Sequence, residues 1–148
     1  MTAWLLDTNV LSELRRPRPE PKVVTFIAAQ KLDLLLVSDV TIAEIRFGIE
    51  QVTDAVKRAE LNDWLAHKLR PMFAQRTLPI TEVILLKARL VVEEGRKAGH
   101  TFSPPDLIIA ATALHHDLTV VTRDTADCAR ARCPVFNPWT DTAPDASS

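Results

Sequence analysis

Residues 103–124, SPPDLIIAATALHHDLTVVTRD, read as a helix running straight into a strand, with a carboxylate near each end. Ser103 fits the N-cap, Pro104 the first helical position, and Asp106 then falls third in the first turn. Leu107 to Leu114 is apolar almost all round, the pattern of a helix covered on several sides. His115, His116 and Asp117 break that run, and Leu118 to Thr122 is a short β-branched strand with Asp124 just past it. An acid at a helix start and another past a strand end both belong at the carboxyl edge of a parallel sheet, where open α/β folds keep their sites.

The flanking sequence repeats this alternation. Trp4-Leu5-Leu6 and Leu34-Leu35-Leu36-Val37 are unbroken apolar runs suited to parallel strands covered on both faces, and Leu78-Pro79-Ile80 and Pro134-Val135-Phe136 supply two shorter ones. Helical patterns begin near Val10 and at Thr41, and run over Lys22 to Gln30, Asp54 to about Phe73, Glu82 to Ala98 (ending near Gly99), and Thr125 to Ala131. Strands alternating with helices predict a three-layer α/β/α domain around a mostly parallel sheet of four to five strands. It is expected over residues 1–139, with a loose tail at 140–148.

Composition narrows the possibilities. With 47% hydrophobic and 25% charged residues, the 148-residue chain fits one globular domain. A net charge of −1 rules out a global basic field, so any nucleic acid must be held by a local patch. No basic leader precedes Asp7 and no apolar run approaches the ~20 residues of a membrane span, so a cytoplasmic protein without a membrane partner is expected. Cys128 and Cys133 lack zinc-ligand spacing and read as reduced thiols.

Four acids stand at strand ends or helix starts: Asp7, Glu44, Asp106 and Asp124. Each alone has a structural explanation. Asp7 and Asp124 fit N-caps, Thr41 with Glu44 matches a capping box, and Asp106 favours its helix dipole. Together they would crowd negative charge into one groove, and such a cluster calls for a neutralising cation. All-oxygen donors suit Mg²⁺ or Mn²⁺, which can activate water against a phosphodiester. Thr8, Asn9 and Thr122 are candidates to orient that ion's waters.

LLDTNVLSELRRPRP, TIAEIRFGIE, SPPDLIIAATALHHDLTVVTRD and FNPW, in that order over Met1 to Trp139, resemble the PIN-domain proteins. More narrowly, they resemble the FitB-like branch of the VapC-type toxins. The resemblance implies a metal-dependent endoribonuclease that uses a metal-activated water and leaves a 5′-phosphate and a 3′-hydroxyl. It places Asp7, Glu44, Asp106 and Asp124 at the family's acidic positions. It also implies a homodimer, a cognate antitoxin in a toxin–antitoxin hetero-oligomer, and promoter DNA bound only through that antitoxin. The branch often carries Asn at the fourth position with Asp three residues later, so Asp127 is a second candidate there.

Arg15, Arg16, Arg46 and Arg123 flank the acids and are candidates for RNA phosphates. His115 and His116 are adjacent, so their side chains are expected to diverge and not to share a metal. Trp64 reads as core or dimer contact, and Trp139 as packing the last strand down. Two other readings fit the acids: a PIN-like RNA-binding module without cleavage, and a receiver-type phosphoacceptor domain. The receiver reading wants an acidic pair at the first strand and a late Lys after a strand, where this chain has Thr8-Asn9 and Arg123-Asp124.

Overall fold

A computed structural model describes residues 2–142. Five strands form one all-parallel sheet in the order β3-β2-β1-β4-β5, with β1 Trp4–Leu6, β2 Leu35–Ser38, β3 Thr77–Leu78, β4 Thr119–Val121 and β5 Val135–Phe136. The third strand lies one residue earlier than its sequence suggests, because Pro79 has no N–H to continue a ladder.

The period-two alternation of a strand sorts the core onto two faces. Trp4, Leu6, Val121 and Phe136 share one face with α1 (Thr8–Arg15), α2 (Pro21–Ala29), α3 (Asp39–Glu50) and α4 (Ala55–Trp64). There Trp4, Phe26 and Phe136 stack with ring centroids 4.6 to 5.7 Å apart. The Trp4 indole N–H is satisfied by Gln30 Oε1 at 3.1 Å. Leu5 and Val120 point to the other face, against Ile109, Ala110 and Ala113 of α7 (Pro104–His116) and Cys128 of α8 (Ala126–Arg130). Helix α6 (Glu82–Lys97) lies outside α7, joined through Ile84, Ala88 and Ala111.

The long helix expected from Asp54 does not run uniformly. After α4 it widens into a π-helical turn, Leu65–Leu69, where the Arg70 N–H reaches back to Leu65 O, and then ends as α5, Arg70–Met72. The wide turn sits just ahead of Pro71, whose ring and missing N–H disrupt an ordinary α-turn. Trp64 packs partly buried against the main core, as does Trp139. The start of the expected tail is tied down: Asp141 Oδ2 accepts from the Asn137 N–H at 2.9 Å, while residues 143–148 lie outside the described residues.

The strand order explains where a site forms. The chain builds outward from β1 to β3, then crosses back to place β4 on the other side of β1. The crevice at the carboxyl ends of β1 and β4 is therefore the topological switch point.

Candidate active site

Asp7 is the first residue past β1. Its backbone N–H still donates to Val121 O at 3.0 Å, so the ladder itself fixes its position. Oδ1 accepts from the Thr8 N–H at 2.8 Å and Oδ2 from the Thr122 hydroxyl at 2.9 Å. Thr122, fully buried just past β4, is in turn held by Asn9 Nδ2 at 3.0 Å and the Asp124 N–H at 3.2 Å. Asn9 Oδ1 takes the Arg123 N–H at 3.2 Å, closing the clamp between α1 and the end of β4. Burial pushes the Asp7 carboxyl above its ordinary pKa; the bonds from Thr8 and Thr122 oppose this, while the charges of Asp106 and Asp124 add to it.

Asp106 enters from α7. The expected cap at Ser103 is present in backbone conformation but not in side-chain chemistry. The Ser103 hydroxyl instead donates to Asp106 Oδ2 at 2.6 Å, so the residue expected to cap the helix orients the acid. Burial raises the Asp106 pKa, the Ser103 bond lowers it, and a hydrogen bond and charge from Asp127 raise it again. Asp127, half-buried in the first turn of α8, is thus the acid in contact with Asp106. Asp124 is exposed and does not cap α8, whose N-cap is Thr125.

Glu44 is not a capping-box residue. Helix α3 starts at Asp39, where Ser38 Oγ accepts from the Val40 N–H at 3.1 Å, so Glu44 lies in the second turn. Among the described residues its half-buried carboxylate has no hydrogen-bond partner. One turn earlier the buried Thr41 hydroxyl is also without one. Asp7 feels the charges of Asp106 and Asp124, and Asp106 feels that of Asp127. No three His, Cys, Asp or Glu side chains among the described residues close around a single point as they stand.

The flanking cations sort themselves. Arg16 pairs with buried Glu13 at 3.3 Å, Arg15 lies over Trp64, and Arg123 lies over Trp139. Arg46 is exposed on α3 and makes no such contact among the described residues. The two histidines do not diverge: the His115 and His116 rings meet edge to face, centroids 4.7 Å apart, at the exposed end of α7. The His116 pKa is lowered, by burial first and by His115 second. Thr8, a candidate from the sequence to orient an ion's waters, is the first residue of α1 and contributes its backbone rather than its side chain to Asp7.

Sequence reasoning overlooked His100, which contacts Asp127, and Arg130, which contacts His100. His100 Nε2 lies 3.1 Å from Asp127 Oδ1, and Arg130 Nη1 lies 2.5 Å from His100 Nδ1. The only local signal was a His after a helix-ending glycine, which by itself says nothing about a partner 27 positions away.

The PIN-domain family profile matches residues 4–132, most of the chain and all of the acids described above. The chain belongs to the PIN-domain family. This PIN domain is 38% identical to the toxin FitB of Neisseria gonorrhoeae over 137 residues, 93% of this chain and 99% of that protein. It is 33% identical to the VapC ribonuclease Y4jK of Sinorhizobium fredii over 135 residues, 91% of this chain and 96% of that one. The crystal structure of FitAcB from Neisseria gonorrhoeae superposes on the PIN domain with a TM-score of 0.88 at 37% identity, covering 93% of this chain and 99% of that one. No described helix is long and apolar enough to cross a membrane.

Proposed function

We propose that this PIN domain is the toxin of a toxin–antitoxin pair, a cytoplasmic endoribonuclease that depends on Mg²⁺ or Mn²⁺. One observation carries the reading: Asp7, half-buried at the switch point, stands against the charges of Asp106 and Asp124, an arrangement that costs stability unless a cation enters. The donors are all oxygen, which suits a hard divalent ion. Asp7, Glu44 and Asp106 would hold it. Asp124 would complete the set from the rim or through water, and Asp127, whose charge acts on Asp106, competes for that fourth place. When bound, the ion supplies positive charge and a water of lowered pKa.

The chain's own residues do the positioning. Thr8, Thr122 and Ser103 aim carboxylate oxygens, and the exposed Arg46, on the same helix as Glu44, is a candidate for an RNA phosphate. FitB and Y4jK, named as a toxin and a ribonuclease, support the class of reaction. An antitoxin is the expected partner, with promoter DNA bound through it. A second copy is expected on the outer face of α6, where Val83, Leu86 and Leu90 recur at helical spacing with 52%, 60% and 54% of their surface exposed.

The test is cleavage of total RNA by the purified, antitoxin-free protein with Mg²⁺ or Mn²⁺ against EDTA, alongside Asp7→Ala. Discrete fragments that require both the metal and Asp7 are expected. RNA bound but left intact in every lane, by a folded protein, would instead make the chain a non-cleaving RNA-binding module.

A further inference from the structure

The loop between α6 and α7 carries His100 into contact with the acids, and its conformation is set from three directions. Gly99 takes a left-handed φ of +78°, which turns the chain back on the helix end. The His100 N–H then donates to Gly95 O at 2.7 Å. The Phe102 ring packs edge to face on the imidazole, centroids 4.4 Å apart, and lies over the bare backbone of Gly95. A Cβ at position 95 would stand 2.6 Å from Phe102 Cε2.

The hydrogen-bond chemistry of His100 follows from its neighbour. A guanidinium only donates, so His100 Nδ1, 2.5 Å from Arg130 Nη1, is the acceptor. The ring proton therefore sits on Nε2 and is donated to Asp127 Oδ1 at 3.1 Å. The side chains of both partners are largely shielded, with 15% and 18% of their surface exposed, so this bond is weakly contested by water. With Oδ1 taken by His100, the rotation of the Asp127 carboxylate is restrained where its charge acts on Asp106.

We propose that His100 is a positioning residue that holds Asp127 turned toward Asp106, so that the two carboxylates offer their oxygens to one divalent cation. Arg130 sets the tautomer that lets it do so. Ligating carboxylates elsewhere are held by such outer hydrogen bonds, and removing one costs ~10–100-fold in metal affinity or activity. The inference rests on the metal-dependent reading above and adds to it the residue that orders its rim.

The experiment is titration of the whole protein with Mn²⁺ alone, followed by electron paramagnetic resonance, for wild type, His100→Phe, His100→Gln and Arg130→Met. Thermal melts and RNA cleavage kinetics accompany it. His100→Phe keeps the aromatic contact with Phe102 but loses the donor, and is expected to weaken Mn²⁺ by ~10-fold or more. The same loss should appear in kcat with KM for RNA little changed. The Gln amide can present an N–H to the same oxygen, and His100→Gln is expected to recover most of the affinity. Arg130→Met, at an exposed position, should give an intermediate loss without a change in melting temperature. Wild-type affinity in both His100→Phe and Arg130→Met, in a protein that does bind Mn²⁺, would overturn the positioning role alone. Wild type that binds no Mn²⁺ would overturn the metal reading and this inference together.

Discussion

The two acids at the centre of the site are held in different ways. Asp7 is gripped by the sheet: its N–H is in the ladder, and both oxygens are taken by Thr8 and by the fully buried Thr122. Asp106 is held by single side-chain contacts: Ser103 precedes its helix, and Asp127 is kept in place by His100 from the α6–α7 loop, itself held by Arg130 at the end of α8. The first arrangement moves only if the central strands move. The second can be adjusted one hydrogen bond at a time. The difference implies a site with a fixed half that anchors the charge and a tunable half that sets how tightly it is completed.

Asp7→Asn tests the fixed half most severely. It is expected to lower cleavage by more than the ~100-fold that marks the upper range for outer hydrogen-bond partners. It should also raise the melting temperature of the metal-free protein at neutral pH. The sign follows from the raised folded-state pKa of Asp7: the folded state binds the extra proton, so this group's contribution is present below the ordinary carboxylate range and lost as pH rises through the folded value. Melting curves from pH 4 to 8 for wild type and Asp7→Asn check this. A variant less stable than wild type throughout would show that the Thr8 and Thr122 bonds outweigh burial.

Thr122→Val removes the hydroxyl shared by Asp7, Asn9 and the Asp124 N–H while keeping the volume. Leaving those groups unpaired in a buried place should cost ~1–3 kcal/mol in urea unfolding. On the loop side, Gly95→Ala drives a methyl group into Phe102, and overpacking of this kind costs ~1–3 kcal/mol. Its activity loss should come with weaker Mn²⁺ binding exerted through Asp127, whereas Thr122→Val acts on the metal through Asp7. Ser103→Ala is the mildest. It removes the 2.6 Å bond to Asp106, should change stability by less than ~0.5 kcal/mol, and should lower cleavage only a few-fold. Equal losses for Thr122→Val and Ser103→Ala would erase the distinction between the two halves.

Much of this was legible in residues 103–124, because there the local pattern and the final fold agree. The apolar run is a buried helix, the β-branched run is a central strand, and Asp106 lies in the first turn. Local pattern misled where two local solutions were available. T-x-x-E at Thr41 looked like a helix start, but Ser38 had already capped the helix three residues before Thr41. Asp124 looked like a cap, yet Thr125 takes that place. The tunable half was almost invisible, since Asp127 and Arg130 meet His100 across 27 and 30 positions and no periodicity encodes that pairing.

The seat of Phe102 on Gly95 has a consequence for how this sequence can drift over generations. A ring that rests directly on helix backbone leaves no room for a side chain beneath it, so the two sites cannot change independently. Descendants that acquire alanine or serine at 95 should carry a smaller residue at 102, and those that keep the ring should keep the glycine. A pedigree of such chains would show the two positions mutating as a pair, and lineages that lose the pair should also be those in which the histidine at 100 is free to become something else.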